Sequence, residues 1–213
     1  MDWTDKLERR YGNLCIPQLI NIILGGQIAA GVITLLFNRY LPYYLSLDRA
    51  GLLRGQLWRL VTFLFSPTWV YSPLGILNLL FYWFAGMALT RVWGDFKTTL
   101  YIALGVAGAW VSCFALGYGD ASGIFLSMFF AYAWMWPDQT VLLFGILPLK
   151  IKWLGWFELA LWIMQFLGAN AAGKLSLVLG LAGFLGFFGK EVVLWCRDQI
   201  VNYKRGRDWR NRF

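Results

Sequence analysis

Charged residues and clusters of proline and glycine divide this chain into long apolar segments. A transmembrane helix needs roughly 20 mostly apolar residues, and six segments approach that length: 16–37, 72–90, 97–116, 121–136, 153–168 and 175–195. Hydrophobic side chains make up 59% of the 213 residues and charged ones 14%, whereas an average soluble domain is roughly 25% charged. We therefore predict an all-α integral membrane protein with six transmembrane helices.

The fourth segment is too short to cross a bilayer. Residues 121–136 would rise about 24 Å as a helix, against a hydrocarbon thickness of roughly 30 Å, so this helix is expected to begin inside the membrane. The sequence has no internal repeat, which predicts one domain over 1–213 with its core at about 16–195. A cytoplasmic N-terminal segment, 1–15, and a basic tail, 196–213, flank that core.

The distribution of Lys and Arg predicts the orientation. Fourteen of the 19 fall in the two termini and in the loops on their side of the membrane, and five in the opposite loops, so both termini are predicted to be cytoplasmic. The first run of apolar residues lacks a cleavage site and is expected to be retained. Without a long extramembrane domain or a disulfide pattern among its three cysteines, the chain is assigned to a bacterial plasma membrane.

Two segments are expected to lie at the membrane surface. The tail carries a basic cluster expected to contact anionic lipid headgroups, and no base-stacking or groove-reading motif accompanies it to suggest nucleic acid; its members are Lys204, Arg205, Arg207, Arg210 and Arg212. The external loop 38–71 contains the amphipathic stretch 56–65. This stretch is predicted to form an interfacial helix anchored by Trp58 and Arg59.

The sequence contains no histidine. Catalytic Ser-His and Cys-His pairs and imidazole metal sites are therefore excluded. The cysteines, Cys15, Cys113 and Cys196, are too widely separated to indicate a thiolate zinc site. No cofactor is expected.

Several short motifs follow one another in a recognisable order. The first loop carries a Gly-Gln-x-Trp-Arg-x-x-Thr motif at 55–62, and a Leu-Pro-Leu-Lys-x-Lys-Trp stretch at 147–153 precedes the fifth segment. Between them come Asn78, Gly86, Arg91, Gly94 and the Ala-Ser-Gly step at 121–123. This order resembles the rhomboid superfamily of intramembrane serine proteases and their inactive relatives. The resemblance implies a six-helix bundle with a short fourth helix.

The resemblance also implies roles for particular residues. Ser122 occupies the position of the nucleophile, at the start of the short helix, where unsatisfied N–H groups favour a developing negative charge. Asn78 falls at the position of the oxyanion-stabilising Asn, whereas the His that the family usually has four residues earlier is Leu74. Asp120 is interpreted as a cap for the fourth helix.

The general base implied by the resemblance is missing. Alignment of the sixth segment puts Gly173 where active rhomboids have a His, and glycine cannot accept a proton. An unactivated serine is a weak nucleophile. The adjacent Lys174 is an alternative base if desolvation lowers its pKa, but neighbouring helical residues point about 100° apart. Lys174 is otherwise interpreted as an interfacial lysine.

Other features of these segments predict packing. Ala172, Ser176 and Gly180 form a small-residue stripe that Gly183 and Gly186 continue. This stripe is expected to contact the helix face bearing Ser122 and Ser127, and Gly123 would permit close helix contact. Glu158, an acid inside the fifth segment, is expected to pair with Lys150 or Lys152.

Three functions remain open. The first is a rhomboid-like pseudoprotease, with a derlin-like character, that binds or handles transmembrane client proteins without cleavage. The second is an active intramembrane serine endopeptidase that uses Ser122 with a non-standard base, Lys174. The third, a small-solute transporter, would need paired intramembrane charges or an inverted repeat, and the sequence shows neither.

Overall fold

The computed structural model describes residues 3–12, 15–71, 75–143 and 147–210, and this part of the chain is mainly helical. Two short antiparallel ribbons interrupt the helices: β1 (Leu47–Asp48) with β2 (Tyr118–Gly119), and β3 (Thr140–Leu143) with β4 (Leu147–Lys150). The helices are α1 (Trp3–Tyr11), α2 (Leu19–Leu36), α3 (Leu41–Leu45), α4 (Arg49–Leu53), α5 (Arg59–Thr62), α6 (Gly75–Leu116), α7 (Ser122–Met135), α8 (Ile151–Gly168), α9 (Ala171–Gly180) and α10 (Ala182–Arg210).

The six apolar segments of the sequence coincide with helices, apart from residues 72–74, which lie outside the described part. In chain order they correspond to α2, the two arms of α6, α7, α8, and α9 together with α10. Within the described residues, α2 and Asn78–Leu116 are long and apolar enough to cross a membrane, and a third span results if α9 and α10 count as one. An all-α membrane protein agrees with these findings. By length and composition alone, however, two or three spans are supported rather than six.

Gly94 divides helix α6 into two arms. Gly94 has φ 79° and ψ 170° inside this 42-residue helix, a backbone conformation that side chains with a Cβ rarely adopt. The break separates two helical arms at the position where the sequence predicts a loop, 91–97. Helix α1 is attached beside it, because the Lys97 ammonium lies 2.7 Å from the Asp5 carboxylate and 3.8 Å from that of Glu8.

Helix α7 lies at the centre of the bundle. It is an apolar helix of 14 residues, and Ile124, Phe125, Met128 and Tyr132 are among its buried side chains. Its polar Ser127 is fully enclosed, donates to the Ile124 carbonyl oxygen at 2.7 Å and accepts from the Tyr101 hydroxyl at 3.0 Å. Pairing buried polar groups in this way removes the cost of burying them.

The loop 38–71 is organised around a buried arginine. Arg59 is 2% exposed; its guanidinium donates to the Gln56 side-chain oxygen at 2.6 Å and to the carbonyl oxygens of Tyr43 and Ser46 at 2.9 and 2.8 Å. The prediction that Arg59 anchors an interfacial helix at the lipid surface is therefore wrong, because its donors satisfy the loop backbone. Trp58 is 55% exposed, and the helix that follows it, α5, has four residues.

The connection between α7 and α8 corrects a second expectation. Lys152 and Lys150 lie 3.0 and 3.6 Å from the Asp138 carboxylate, and the hydrogen bond from Lys152 holds the pKa of Asp138 below its usual value. Within the described residues, Glu158 forms no ion pair. The prediction that Glu158 pairs with Lys150 or Lys152 is wrong, because the β3–β4 ribbon brings both lysines to Asp138 instead.

Substitution of Arg59 should destabilise the whole first loop. Arg59→Met keeps the aliphatic length but leaves the carbonyl oxygens of Tyr43 and Ser46 without their donor, and we expect a loss of about 2 kcal/mol in the free energy of unfolding. Thermal unfolding in detergent measures it. Arg54→Met changes an exposed arginine of the same loop and should leave the melting temperature nearly unchanged; equal effects of the two substitutions would contradict the role of Arg59.

Candidate functional site

The site is built on a backbone contact between α7 and α9. A Cβ atom added to Gly123 would lie 2.6 Å from the Cα of Gly180, and one added to Gly180 would lie 3.0 Å from the Cα of Gly123. The distance of 2.6 Å from Gly123 is shorter than real Cβ atoms show to other atoms. The two glycines therefore allow a helix approach that larger residues would prevent, in agreement with the packing expected of the small-residue stripe.

The rest of the stripe also faces α6. The Ser112 hydroxyl of α6 donates to the Ser176 hydroxyl at 3.0 Å, and a Cβ on Gly183 would lie 3.0 Å from the Tyr101 carbonyl oxygen. The buried Ser127, which the sequence placed opposite the stripe, accepts a hydrogen bond from Tyr101 on α6. The stripe thus joins α9 and α10 to two helices, and its contact with Ser127 stays a prediction.

Ser122 is the first residue of α7. Its backbone N–H donates to the Asp120 carboxylate, so Asp120, one residue before the N-cap Ala121, satisfies the first N–H of the helix as the sequence predicted. The pairing of Leu47 with Gly119 across β1 and β2 fixes the chain immediately before Asp120. The Ser122 hydroxyl itself has no hydrogen-bond partner among the described residues, and the side chain is exposed.

The Ser122 side chain lines a cavity of about 200 Å³ between α6, α7, α8 and α9. Asp120, Ser122 and Gly123 form its α7 side, and Ser176 and Gly180 its α9 side. Because Gly123 and Gly180 both line this space and touch each other, the position of the serine and the shape of the cavity depend on the same two residues.

Helices α6 and α8 contribute cavity residues that the sequence did not single out as site residues. Tyr82 comes from α6, and Glu158, Trp162 and Gln165 come from successive turns of α8. Glu158 could have been found as the one acid within an apolar segment, which is the usual sign of an intramembrane functional residue. The other three carry no such signal, because aromatic and amide side chains are ordinary in such a helix.

Two predicted site residues lie outside this cavity. Asn78 is exposed and does not line it, so its oxyanion role stays a prediction. Gly173 donates its N–H to the Asn170 side chain at 2.8 Å, which caps α9, and a Cβ there would contact only Ala169 and Asn170 within 4 Å. Leu74 lies outside the described residues.

Lys174 also lies outside the cavity that Ser122 lines. Its ammonium lies 5.6 Å from the centre of the Phe166 ring on α8, within the range of a cation–π interaction, and its side chain does not line the cavity. The α9 residues that line the cavity with Ser122 are Ser176, Leu177 and Gly180 rather than Gly173 or Lys174.

The chemistry of the cavity follows from this set of side chains. It presents three serine hydroxyls, two carboxylates and other neutral hydrogen-bonding groups, and none of the described residues in its wall is basic. The described residues bring together no group of three or more Cys, Asp or Glu side chains that could hold a metal ion. Binding of a polar or cationic group suits this arrangement better than activation of the serine, which needs a nearby proton acceptor of suitable pKa.

Comparison with models of known protein families and with curated proteins gives no match for this chain. The interpretation of the cavity therefore depends on its own residues.

A larger residue at the helix contact should disturb the site. Gly123→Ala would place its Cβ against the Gly180 backbone, and we expect a loss of about 1–3 kcal/mol in stability from overpacking, measured by thermal unfolding. In contrast, Gly25→Ala lies in α2 with nothing within 4 Å of the added Cβ and should be neutral or slightly stabilising. A Gly123→Ala protein as stable as Gly25→Ala would show that the helices do not need this glycine.

Proposed function

We propose that this protein is a rhomboid-like membrane pseudoprotease that binds or handles transmembrane client proteins without cleaving them. One observation carries the proposal: Ser122 begins a short apolar helix and opens into a polar cavity, in a chain that has no histidine. The rhomboid-like order of motifs in the sequence supports the same assignment.

The proposed architecture has six transmembrane helices and two cytoplasmic termini. It is supported by six helical segments at the positions of the apolar runs, with the second and third meeting at Gly94 and the last bent by 78° between α9 and α10. The excess of Lys and Arg in the termini and adjacent loops supports the orientation. A bacterial plasma membrane remains the proposed location.

The short central helix suggests how such a protein would act on a client. The 14 residues of α7 rise about 21 Å, well below the roughly 30 Å hydrocarbon core. A bilayer that adapts to this shorter length becomes locally thinner, at a cost of fractions of a kcal/mol per Å of mismatch. A client segment beside the cavity would then meet a reduced apolar thickness and a polar wall.

The enzymatic alternative requires a base for Ser122. Lys174, the residue considered for that role, lies over Phe166 and outside the cavity, and this placement favours the pseudoprotease over a Ser-Lys endopeptidase. A transporter is not favoured, since the described structure adds neither a paired intramembrane charge nor an inverted repeat.

Client binding at the cavity can be tested by site-specific photocrosslinking. A benzoylphenylalanine at Leu126, which lines the cavity, should capture single-span membrane proteins several times more often than the same probe at Val32, an exposed position of α2. Crosslinked products are counted after purification from native membranes. Equal capture at the two positions would contradict the proposed function.

The absence of proteolysis can be tested with a serine-directed probe. Because the chain has no histidine and the described wall of the cavity contains no lysine, the purified protein and its Ser122→Ala variant should be labelled equally weakly by a fluorophosphonate, and neither should cleave transmembrane substrates. Labelling and cleavage that disappear in Ser122→Ala would instead establish the endopeptidase.

A further inference from the structure

The cavity beside Ser122 has an unbalanced charge. Its wall, as far as the described residues form it, includes the carboxylates of Asp120 and Glu158 and no lysine or arginine. Both carboxylates line the same cavity as Tyr82, so the two negative charges act on one enclosed space. A ligand placed there would meet a negative potential that the cavity wall does not neutralise.

The basic residues that could have balanced Glu158 have other partners. Lys150 and Lys152 bind Asp138 in the loop, and the Lys174 ammonium lies on the Phe166 ring. Within the described part of the chain Glu158 has no ion pair, although it lies in the middle of an apolar helix. Ionisable groups at such positions are costly and are normally paired, which points to a positive partner from outside these residues.

The rest of the wall suits an organic cation. The aromatic rings of Tyr82 and Trp162 line the cavity, and aromatic rings attract ammonium and guanidinium groups through their negative faces. The Gln165 amide oxygen and the hydroxyls of Ser122 and Ser176 are neutral acceptors for the N–H groups of such a ligand. The cavity volume of about 200 Å³ also leaves room for the alkyl chain to which an ammonium or guanidinium group is attached.

We infer that this cavity is a binding site for an ammonium or guanidinium group, held by Glu158 and Asp120 and enclosed by Tyr82 and Trp162. Two sources carry that chemistry: the lysine or arginine side chain of a transmembrane client, and a free organic cation. The first source depends on the proposed function. The second does not, since the site exists whether or not the protein handles clients.

The cation site is tested first without any client. n-Butylammonium should raise the unfolding temperature of the purified full-length protein in a saturable manner, because it binds the folded state, whereas n-butanol at the same concentration should not. Glu158→Gln should weaken the apparent affinity about tenfold, and the double variant with Asp120→Asn should abolish the shift.

Glu191→Gln is the matched control. It removes one carboxylate at an exposed position of α10, outside this cavity, and should bind butylammonium like the unmodified protein. No saturable shift in the unmodified protein, or equal affinities for Glu158→Gln and Glu191→Gln, would overturn the inference. Both glutamine variants are near-isosteric, and their unfolding temperatures without ligand report whether they fold.

The two sources are separated with transmembrane peptides. Peptides with lysine or norleucine at the depth of the cavity are captured by the photocrosslinker at Leu126. Preferential capture of the lysine peptide, lost in Glu158→Gln, identifies the client side chain as ligand. Equal capture with butylammonium binding intact identifies a free cation. Butylammonium binding without capture of either peptide leaves the cation site standing and overturns the proposed function.

Discussion

The contact between Gly123 and Gly180 is the constraint on which the described bundle depends. It lets the backbones of α7 and α9 touch, and helices in lipid gain most of their association energy from such close packing. Because α7 is held there by backbone atoms, its first turn stays beside α9. The Ser122 end of the helix, the Asp120 cap and the cavity then have fixed relative positions.

The sequence predicts most of the helices, but it does not predict the bend between α9 and α10. Apolar segments in a membrane protein must satisfy their backbone groups internally, so 16–37 and 121–136 could only be helical, and both are. The break at Gly94 fell within a predicted loop. The 78° bend after Gly180 could not be foreseen, because a small-residue stripe continues across it without any proline to mark a change of direction.

The site was less predictable because its partners come from distant parts of the chain. Ser122 and Gly180 were found from local motifs, whereas Glu158 was assigned to lysines six and eight residues away that a β-ribbon carries to Asp138. The amphipathic pattern of 56–65 predicts Arg59 at the lipid surface, yet its guanidinium binds the carbonyl groups of Tyr43 and Ser46, more than ten residues earlier, and is buried there. Sequence spacing identifies neighbouring side chains on one helix. It does not reveal which loop, distant in sequence, supplies the ion-pair or hydrogen-bond partner of a charged side chain.

The attachment of α1 differs in kind from the packing of the bundle. One lysine, Lys97, bridges Asp5 and Glu8 at the surface of the protein, and such surface charge pairs weaken as salt shortens the Debye length to about 8 Å at physiological ionic strength. The glycine contact contains no charge and is insensitive to salt. Ionic strength therefore acts on the attachment of α1 and on the exposed Asp138 pairs of the β3–β4 connection, whereas the contact between α7 and α9 stays constant.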